Sequence, residues 1–95
     1  DEWSADPVAR KRIENLAMSA VLERERALGH VPVDVSHKNL GWDIESRDTT
    51  TGLLRFIEVK GRHAAADTVT LTHNEVRAAY NKPADYILAF VRAHA

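Results

Sequence analysis

An acidic and a basic side chain stand two residues apart near the middle of the chain, in the octet R-F-I-E-V-K-G-R that ends at Arg62. Ile57 and Val59 are β-forming residues at alternate positions, with Glu58 between them and Lys60 after them. Residues two apart on a strand share a face, so one face carries the two apolar side chains and the other carries a carboxylate beside an ammonium. A strand that serves only packing has little use for this pair, whereas a site for a divalent cation and a phosphate needs both.

A second carboxylate is expected opposite Glu58. The polar turn R-D-T-T-T-G joins two strand-like segments and predicts a β-hairpin. If Arg47 pairs with Leu54, then Asp43 pairs with Glu58 on the same face, with Cβ atoms about 5 Å apart. A slip of one residue in the register would place the two carboxylates on opposite faces of the sheet. Two carboxylates this close repel each other unless a positive charge lies between them. Mg²⁺ or Mn²⁺ meets that need with oxygen ligands, and the backbone carbonyl of Val59 is a candidate further ligand.

Helix and strand patterns surround this hairpin. Asp6 followed by Pro7 is a typical helix start, and apolar residues at spacings of three, four and seven predict a helix over residues 7–28. The next segment alternates like a strand, and Pro32 within it indicates a sheet edge. Strands are predicted over residues 30–35, 42–46, 53–60 and 86–91, with a short one over 69–71.

The second half of the chain adds a helix and a last strand. Residues 61–67 are small and polar and predict a loop, and T-H-N-E at 72–75 is a capping box that begins a second helix ending near Pro83. The run Y-I-L-A-F-V predicts a last strand that is buried on both faces. The order α-β-β-β-(β)-α-β is that of an α/β fold with a mixed four-stranded sheet flanked by helices.

Composition limits the class of protein. The 95 residues make one domain, 1–95, and the net charge of -1 lacks the basic excess of a protein that grips nucleic acid through phosphates alone. The chain has no cysteine, which excludes disulfides and thiolate-bound zinc and suits a cytoplasmic location. Neither a signal peptide nor a membrane span is visible. Because the sequence does not begin with Met, we expect it to be part of a larger protein.

Five segments together resemble a known family. They are G-W-D-I-E-S, I-E-V-K-G-R and L-T-H-N-E, preceded by V-L-E-R-E-R-A-L-G-H and D-V-S-H-K-N-L. The combination resembles the NO VEIN C-terminal-like domain over about residues 12–91. That domain of unknown function is assigned to the PD-(D/E)XK, or restriction-endonuclease-like, nuclease superfamily, whose core has the same order of elements.

The resemblance implies roles for individual residues. Asp43 falls on the metal-binding acid of the superfamily, Glu58 on its second acid and Lys60 on its lysine. Many members also carry an acid on the first helix, and Glu25 is our choice because it lies at the edge of the apolar stripe, with Glu14 as the competing candidate. The chain departs from the superfamily pattern in having Trp rather than Pro before the first acid.

The implied activity is that of a Mg²⁺- or Mn²⁺-dependent endonuclease. The metal ligands would be Asp43, Glu58 and the Val59 carbonyl. Lys60 would orient the attacking water or neutralise charge on the phosphate, and the charged role is favoured because its ordinary pKa is about 10.4. Substrate phosphates would meet Asn39, Arg62 and Asn74.

Partners follow from the same resemblance. Related domains sit at the ends of large helicase- or ATPase-containing proteins, some of them linked to defence against foreign DNA. The expected partners are therefore DNA, the rest of a larger parent chain and, as in other nucleases of this fold, a second copy in a homodimer. No membrane partner is expected.

Simpler interpretations remain open. Asp43, Glu58 and Lys60 would also suit the solvated face of a half-exposed sheet, paired with one another. The same fold could bind nucleic acid without cutting it, or dock another protein. None of the five histidines has H-x-x-x-H spacing, so surface positions are expected for most of them. Trp42 and Phe56 are expected to pack rather than to stack on bases.

Overall fold

The computed structural model describes residues 6–63 and 85–93, which form one α-helix, four strands and a short 3₁₀ turn. Helix α1 comprises Pro7–Ala27, and the 3₁₀ turn is Ser36–Lys38. The strands are β1 (His30–Asp34), β2 (Ile44–Asp48), β3 (Leu54–His63) and β4 (Tyr86–Ala93).

Local interactions fix both ends of α1. The Asp6 carboxylate accepts hydrogen bonds from the backbone amides of Val8 at 3.0 Å and Ala9 at 3.3 Å, while Pro7 in the first turn has no amide to satisfy. At the other end Gly29 has a φ of 86°, a conformation that favours glycine after a helix. The helix predicted over residues 7–28 is therefore confirmed and ends one residue earlier.

The four strands form one mixed sheet in the order β1-β2-β3-β4. The first two pairings are antiparallel, whereas β3 and β4 are parallel. Arg47 pairs with Leu54, which is the register assumed for the hairpin, but the ladder ends at Ile44 opposite Ile57 and does not include the expected pair of Asp43 with Glu58. Strand β1 with its Pro32 lies at the sheet edge. The predicted α/β fold with a mixed four-stranded sheet is confirmed.

Three sequence predictions need correction. Strand β2 covers residues 44–48 rather than 42–46. Residues 61–63 belong to β3 and not to a loop, because β4 pairs with them as far as His63 opposite Ala93. Strand β4 is not buried on both faces, since Leu88 is 40% exposed. The predicted short strand and second helix lie outside the described residues.

The core lies between α1 and one face of the sheet. Ile13, Ala17 and Val21 form the buried stripe of the helix, and Ile44 and Ile57 meet it from neighbouring strands. Partly buried apolar side chains complete the cluster: Met18, Leu22, Val59, Ile87, Ala89 and Val91. Because Ile57 and Val59 face this core, the alternation of β3 directs Glu58 and Lys60 to the opposite face, as predicted.

Gly61 permits the helix to lie directly on β3. A Cβ atom at this position would be 2.7 Å from the Cβ of Ala17 and 3.0 Å from the Ile13 carbonyl oxygen. Any larger residue would force the helix and the strand apart. This close approach brings the first half of α1 beside the residues that follow Glu58.

Candidate functional site

A cavity of about 330 Å³ opens where the first half of α1 meets β3 and the segments that precede β2. We call it the acidic pocket. It brings together the predicted residues Asp43, Glu58, Val59, Lys60 and Arg62. The other described residues that line it are Lys11, Glu14, Asn15, Met18, Asp34, Ser36 and Gly61.

Asp43 is held by backbone groups on two sides. Its amide donates to the Ile57 carbonyl and its carbonyl accepts from the Val35 amide, both at 2.8 Å. Its carboxylate accepts from the Val59 amide, with Oδ2 at 2.8 Å from the nitrogen. The side chain thus replaces a backbone carbonyl in pairing with β3, and the bond to Val59 fixes its position against that strand.

Glu58 and Lys60 form an ion pair on β3. The Lys60 Nζ lies 3.4 Å from Glu58 Oε2, and the two side chains are 14% and 8% exposed. A carboxylate so well buried needs a positive partner, which Lys60 supplies. The spacing of two residues, visible in the sequence, is what places the ammonium beside the carboxylate.

Glu25 does not line the acidic pocket. Its carboxylate accepts from Arg55 Nε at 3.1 Å and Nη2 at 3.2 Å and lies 2.8 Å from His30 Nδ1. We call Glu25, His30 and Arg55 the buried ion cluster. The assignment of Glu25 to the site is therefore wrong in position, because residue 25 lies at the far end of α1 and faces the starts of β1 and β3.

Hydrogen bonds set the ionisation of Glu25. Burial alone would raise the pKa of this carboxyl, but hydrogen bonds from His30 and Arg55 and the Arg55 charge lower it below its ordinary value. The nearby Ser46 hydroxyl also lowers the pKa, although its fully buried oxygen meets no partner at hydrogen-bonding geometry within the described residues. Glu25 is therefore a charged structural group rather than a free acid.

Glu14, the competing candidate, is the acid of α1 that does line the acidic pocket. Its carboxylate is 54% exposed and lies 3.9 Å from the Lys11 ammonium one turn earlier. An exposed pair at this distance is weak. Glu14 can therefore turn toward the pocket without breaking a strong interaction.

Sequence reasoning did not single out Asp34, which also lines the pocket. Its carboxylate accepts from the side chain and the backbone amide of Ser36, at 2.7 and 2.9 Å, and these bonds lower its pKa. The segment D-V-S is a typical turn in which an Asp bonds to the residue two positions later, and it was the available signal.

The remaining predicted residues have different outcomes. Arg62 lines the pocket and donates to the carbonyl of Gly61 at 2.9 Å. Asn39 is exposed, with a φ of 55°, and is not among the residues that line the pocket. Asn74 lies outside the described residues. Trp42 packs on Phe56 with ring centroids 4.9 Å apart, as expected of packing residues.

The acidic pocket contains oxygen atoms of the chemical type that binds a hard divalent cation. Two carboxylates and a nearby backbone carbonyl are the oxygen ligands that Mg²⁺ takes, with water and substrate completing the octahedron. Within residues 6–63 and 85–93, no group of three or more His, Asp or Glu side chains is arranged to hold a metal ion. A cation here would therefore depend on Asp43 and Glu58 together with groups other than side-chain carboxylates.

Comparisons with known proteins give a family and no individual relative. Neither a curated protein nor a solved structure matches the chain significantly. In the part of the chain that the structure describes, no helix has both the length and the apolar character needed to cross a membrane. The sequence matches the family described as Protein NO VEIN, C-terminal, over residues 13–94. Because this match covers nearly the whole chain, the protein belongs to the NO VEIN C-terminal domain family.

Proposed function

We propose that this domain is a metal-dependent nuclease of the PD-(D/E)XK superfamily. The observation that carries the proposal is the meeting of Asp43, Glu58 and Lys60 at one pocket. The α/β fold and its mixed sheet agree with the core of that superfamily. Fold likeness alone would be weak support, and the arrangement of the three side chains adds the chemistry.

In this proposal Asp43, Glu58 and the Val59 carbonyl hold Mg²⁺ or Mn²⁺. The bound ion would polarise the scissile phosphate and lower the pKa of a water molecule. Lys60 would stabilise negative charge that develops on the phosphate. Arg62 lies on the same strand and contacts a phosphate oxygen of the substrate. Glu14 replaces Glu25 as the helix acid.

The parent protein and the substrate belong to the same proposal. A net charge of -1 gives little general attraction for nucleic acid, so a helicase- or ATPase-type parent would deliver the strand. The proposed substrate is DNA. The proposed setting is defence or DNA processing. A homodimer would let two such pockets cut two strands.

Metal binding is tested first by thermal unfolding with Mn²⁺ and with EDTA. At 100 times Kd a bound ion stabilises by about 2.7 kcal/mol, which raises Tm by roughly 10–20 °C in a domain of this size. Asp43→Asn should abolish the rise, whereas Glu23→Gln, an exposed acid away from the pocket, should leave it unchanged. Absence of any rise in the unmodified chain would contradict the proposal.

Cleavage of labelled single- and double-stranded DNA in Mn²⁺ is the second test. We expect Lys60→Ala to reduce the rate by at least about 100-fold, the size of losing one stabilising donor at a transition state. The Mn²⁺-induced rise in Tm should persist in this variant. Equal rates for Lys60→Ala and the unmodified chain would rule out the assigned role of the ammonium.

One observation favours the alternative of a nucleic-acid-binding module that does not cut. Lys60 already lies 3.4 Å from Glu58, so that carboxylate has a positive partner without a cation. Such a module would bind labelled DNA in an anisotropy assay, would not cleave it, and would show no Tm response to Mn²⁺.

A further inference from the structure

A second cavity, of about 570 Å³, runs along the outer face of the first half of α1. We call it the helix groove. Its described lining residues are Pro7, Val8, Lys11, Arg12, Asn15, Leu16 and Ser19. Lys11 and Asn15 also line the acidic pocket, so the two cavities adjoin. From Pro7 to Ser19 the helix rises roughly 18 Å at 1.5 Å per residue.

The two cavities have opposite charge. The helix groove carries Lys11 and Arg12, and no acidic residue is among its described lining residues. The acidic pocket is instead lined by one more acidic than basic residue: Glu14, Asp34, Asp43 and Glu58 against Lys11, Lys60 and Arg62. A polyanion would therefore be attracted to the groove and would enter the pocket only at a point where a cation or Lys60 compensates.

The surface of the groove is also partly apolar. Val8 is 79% exposed and Leu16 is 50% exposed, one on either side of Arg12 along the helix. Among the residues that the structure describes, the Lys11 ammonium makes a weak contact with Glu14 at 3.9 Å, which it can exchange for another anion. Cationic side chains beside an apolar surface suit a strand with a charged backbone and flat bases.

We propose that the helix groove binds the segment of single-stranded nucleic acid that flanks the phosphate held in the acidic pocket. Lys11 and Arg12 contact successive phosphates, and Val8 and Leu16 pack against bases or sugars. Asn15 lies at the junction of the two cavities. The inference rests on the proposed function, because the strand it binds is the one that enters the pocket.

Charge and continuity favour nucleic acid over a protein partner. A protein helix docking in the groove would gain from the two apolar side chains but would have no reason to continue into a pocket lined by four acids. A phosphodiester strand uses the cations in the groove and the cation-dependent site beyond it. The chain has no general basic excess, so such a local surface is where its affinity would arise.

Fluorescence anisotropy with a labelled oligothymidylate, in Ca²⁺ and at several salt concentrations, tests the inference. The double variant Lys11→Ala with Arg12→Ala should bind about tenfold more weakly. Each lost phosphate contact on a single strand reduces the slope of log K against log salt by about 0.7, so the pair should reduce it by about 1.4. The matched control is Arg26→Ala with Lys38→Ala, which removes the same charge from exposed positions that line neither cavity.

A second variant separates the apolar contribution from charge. Val8→Ser with Leu16→Ser should weaken binding several-fold while leaving the salt slope unchanged, and both residues are exposed enough for the fold to tolerate the change. Equal weakening in the charge variant and its control would overturn the inference. So would a change of oligomeric state with unchanged DNA binding, because the groove would then be a contact between copies of the chain.

The outcome is separate from that of the nuclease proposal. If the native chain does not cleave DNA but loses binding in the groove variants, the groove stands and the nuclease proposal fails. If it cleaves DNA and the groove variants bind as tightly as their control, the groove fails alone.

Discussion

The buried ion cluster and the acidic pocket each place a glutamate beside a cation, yet the geometry differs. In the cluster, two nitrogens of Arg55 lie 3.1 and 3.2 Å from the two oxygens of Glu25, and His30 adds a bond at 2.8 Å. In the pocket, Lys60 lies 3.4 Å from Glu58, and the carboxylate of Asp43 is held beside that pair by the Val59 amide. Burial does not distinguish them, since Glu25 and Glu58 are 2% and 6% exposed.

What distinguishes the two is the balance of charge. Glu25 is one acid bonded to an arginine and a histidine, and that histidine faces a further acid, Asp48, at 3.8 Å. The acidic pocket gathers four acidic residues beside three basic ones. The first arrangement satisfies a charge and joins α1 to β1 and β3. The second has one more acidic than basic residue among its described lining residues, and it is the region in which we propose a metal site.

The largest expected effect is on the buried ion cluster. Glu25→Ala would leave Arg55 and His30 without their acid, and we expect a loss of about 3 kcal/mol in the free energy of unfolding, the low end for a broken buried pair because the Arg55 side chain is 36% exposed. Urea denaturation measures it. Glu14→Ala, on the exposed face of the same helix, should change stability by less than about 0.5 kcal/mol. Equal effects from both substitutions would remove the distinction between the two regions.

Packing beside the acidic pocket should give the next largest effect. Gly61→Ala would place a methyl group 2.7 Å from the Cβ of Ala17, and overpacking of this kind costs about 1–3 kcal/mol. Ala17→Gly alone should cost about 1 kcal/mol through helix propensity. The double variant should lose less stability than the sum of the two single-variant losses, because the contact between the two Cβ atoms is gone. Simple additivity in urea denaturation would show that the helix does not rest on β3 at this point.

Acid titration of stability should give the smallest effect. The pKa of Glu25 lies below its ordinary value of 4.5, so the unfolded chain binds its proton more readily. The contribution of Glu25 is therefore full above that value and is lost as the pH falls through the folded pKa. Asp34 and Asp48 also have lowered pKa values, so the informative quantity is the difference between the native chain and Glu25→Gln. A difference that does not shrink on acidification would contradict the charged state of Glu25.

The sequence predicts the local parts of this arrangement well. The register assumed for the hairpin, with Arg47 opposite Leu54, is the one observed, and alternation along β3 directs Glu58 and Lys60 away from the core. Both depend on residues close in sequence. The predicted pairing of Asp43 with Glu58 is not part of the ladder. Strand β2 begins at Ile44, and Asp43 instead donates its amide to the Ile57 carbonyl and accepts from the Val59 amide through its side chain.

Non-local pairing explains the errors. Glu25 lies at the edge of an apolar stripe, a position that suits a ligand and a structural ion pair equally, and its main partner, Arg55, is 30 residues away. The extension of β3 through residues 61–63 depends on parallel pairing with β4, which no local pattern of small polar residues reveals. The described residues of the helix groove all belong to α1 and recur at helical spacing, so this face could be located from the sequence.

The bond from the Val59 amide to the Asp43 carboxylate has a consequence for binding. Because the sheet itself selects the rotamer of Asp43, the entropy of ordering that side chain is lost when the chain folds and not when a ligand arrives. Ordering one side chain at a binding site costs about 0.5–1.5 kcal/mol. The carboxylate is therefore preorganised for any cation or hydrogen-bond donor that contacts it. Such a ligand should bind Asp43 more tightly than an equally exposed Asp whose side chain no backbone amide holds.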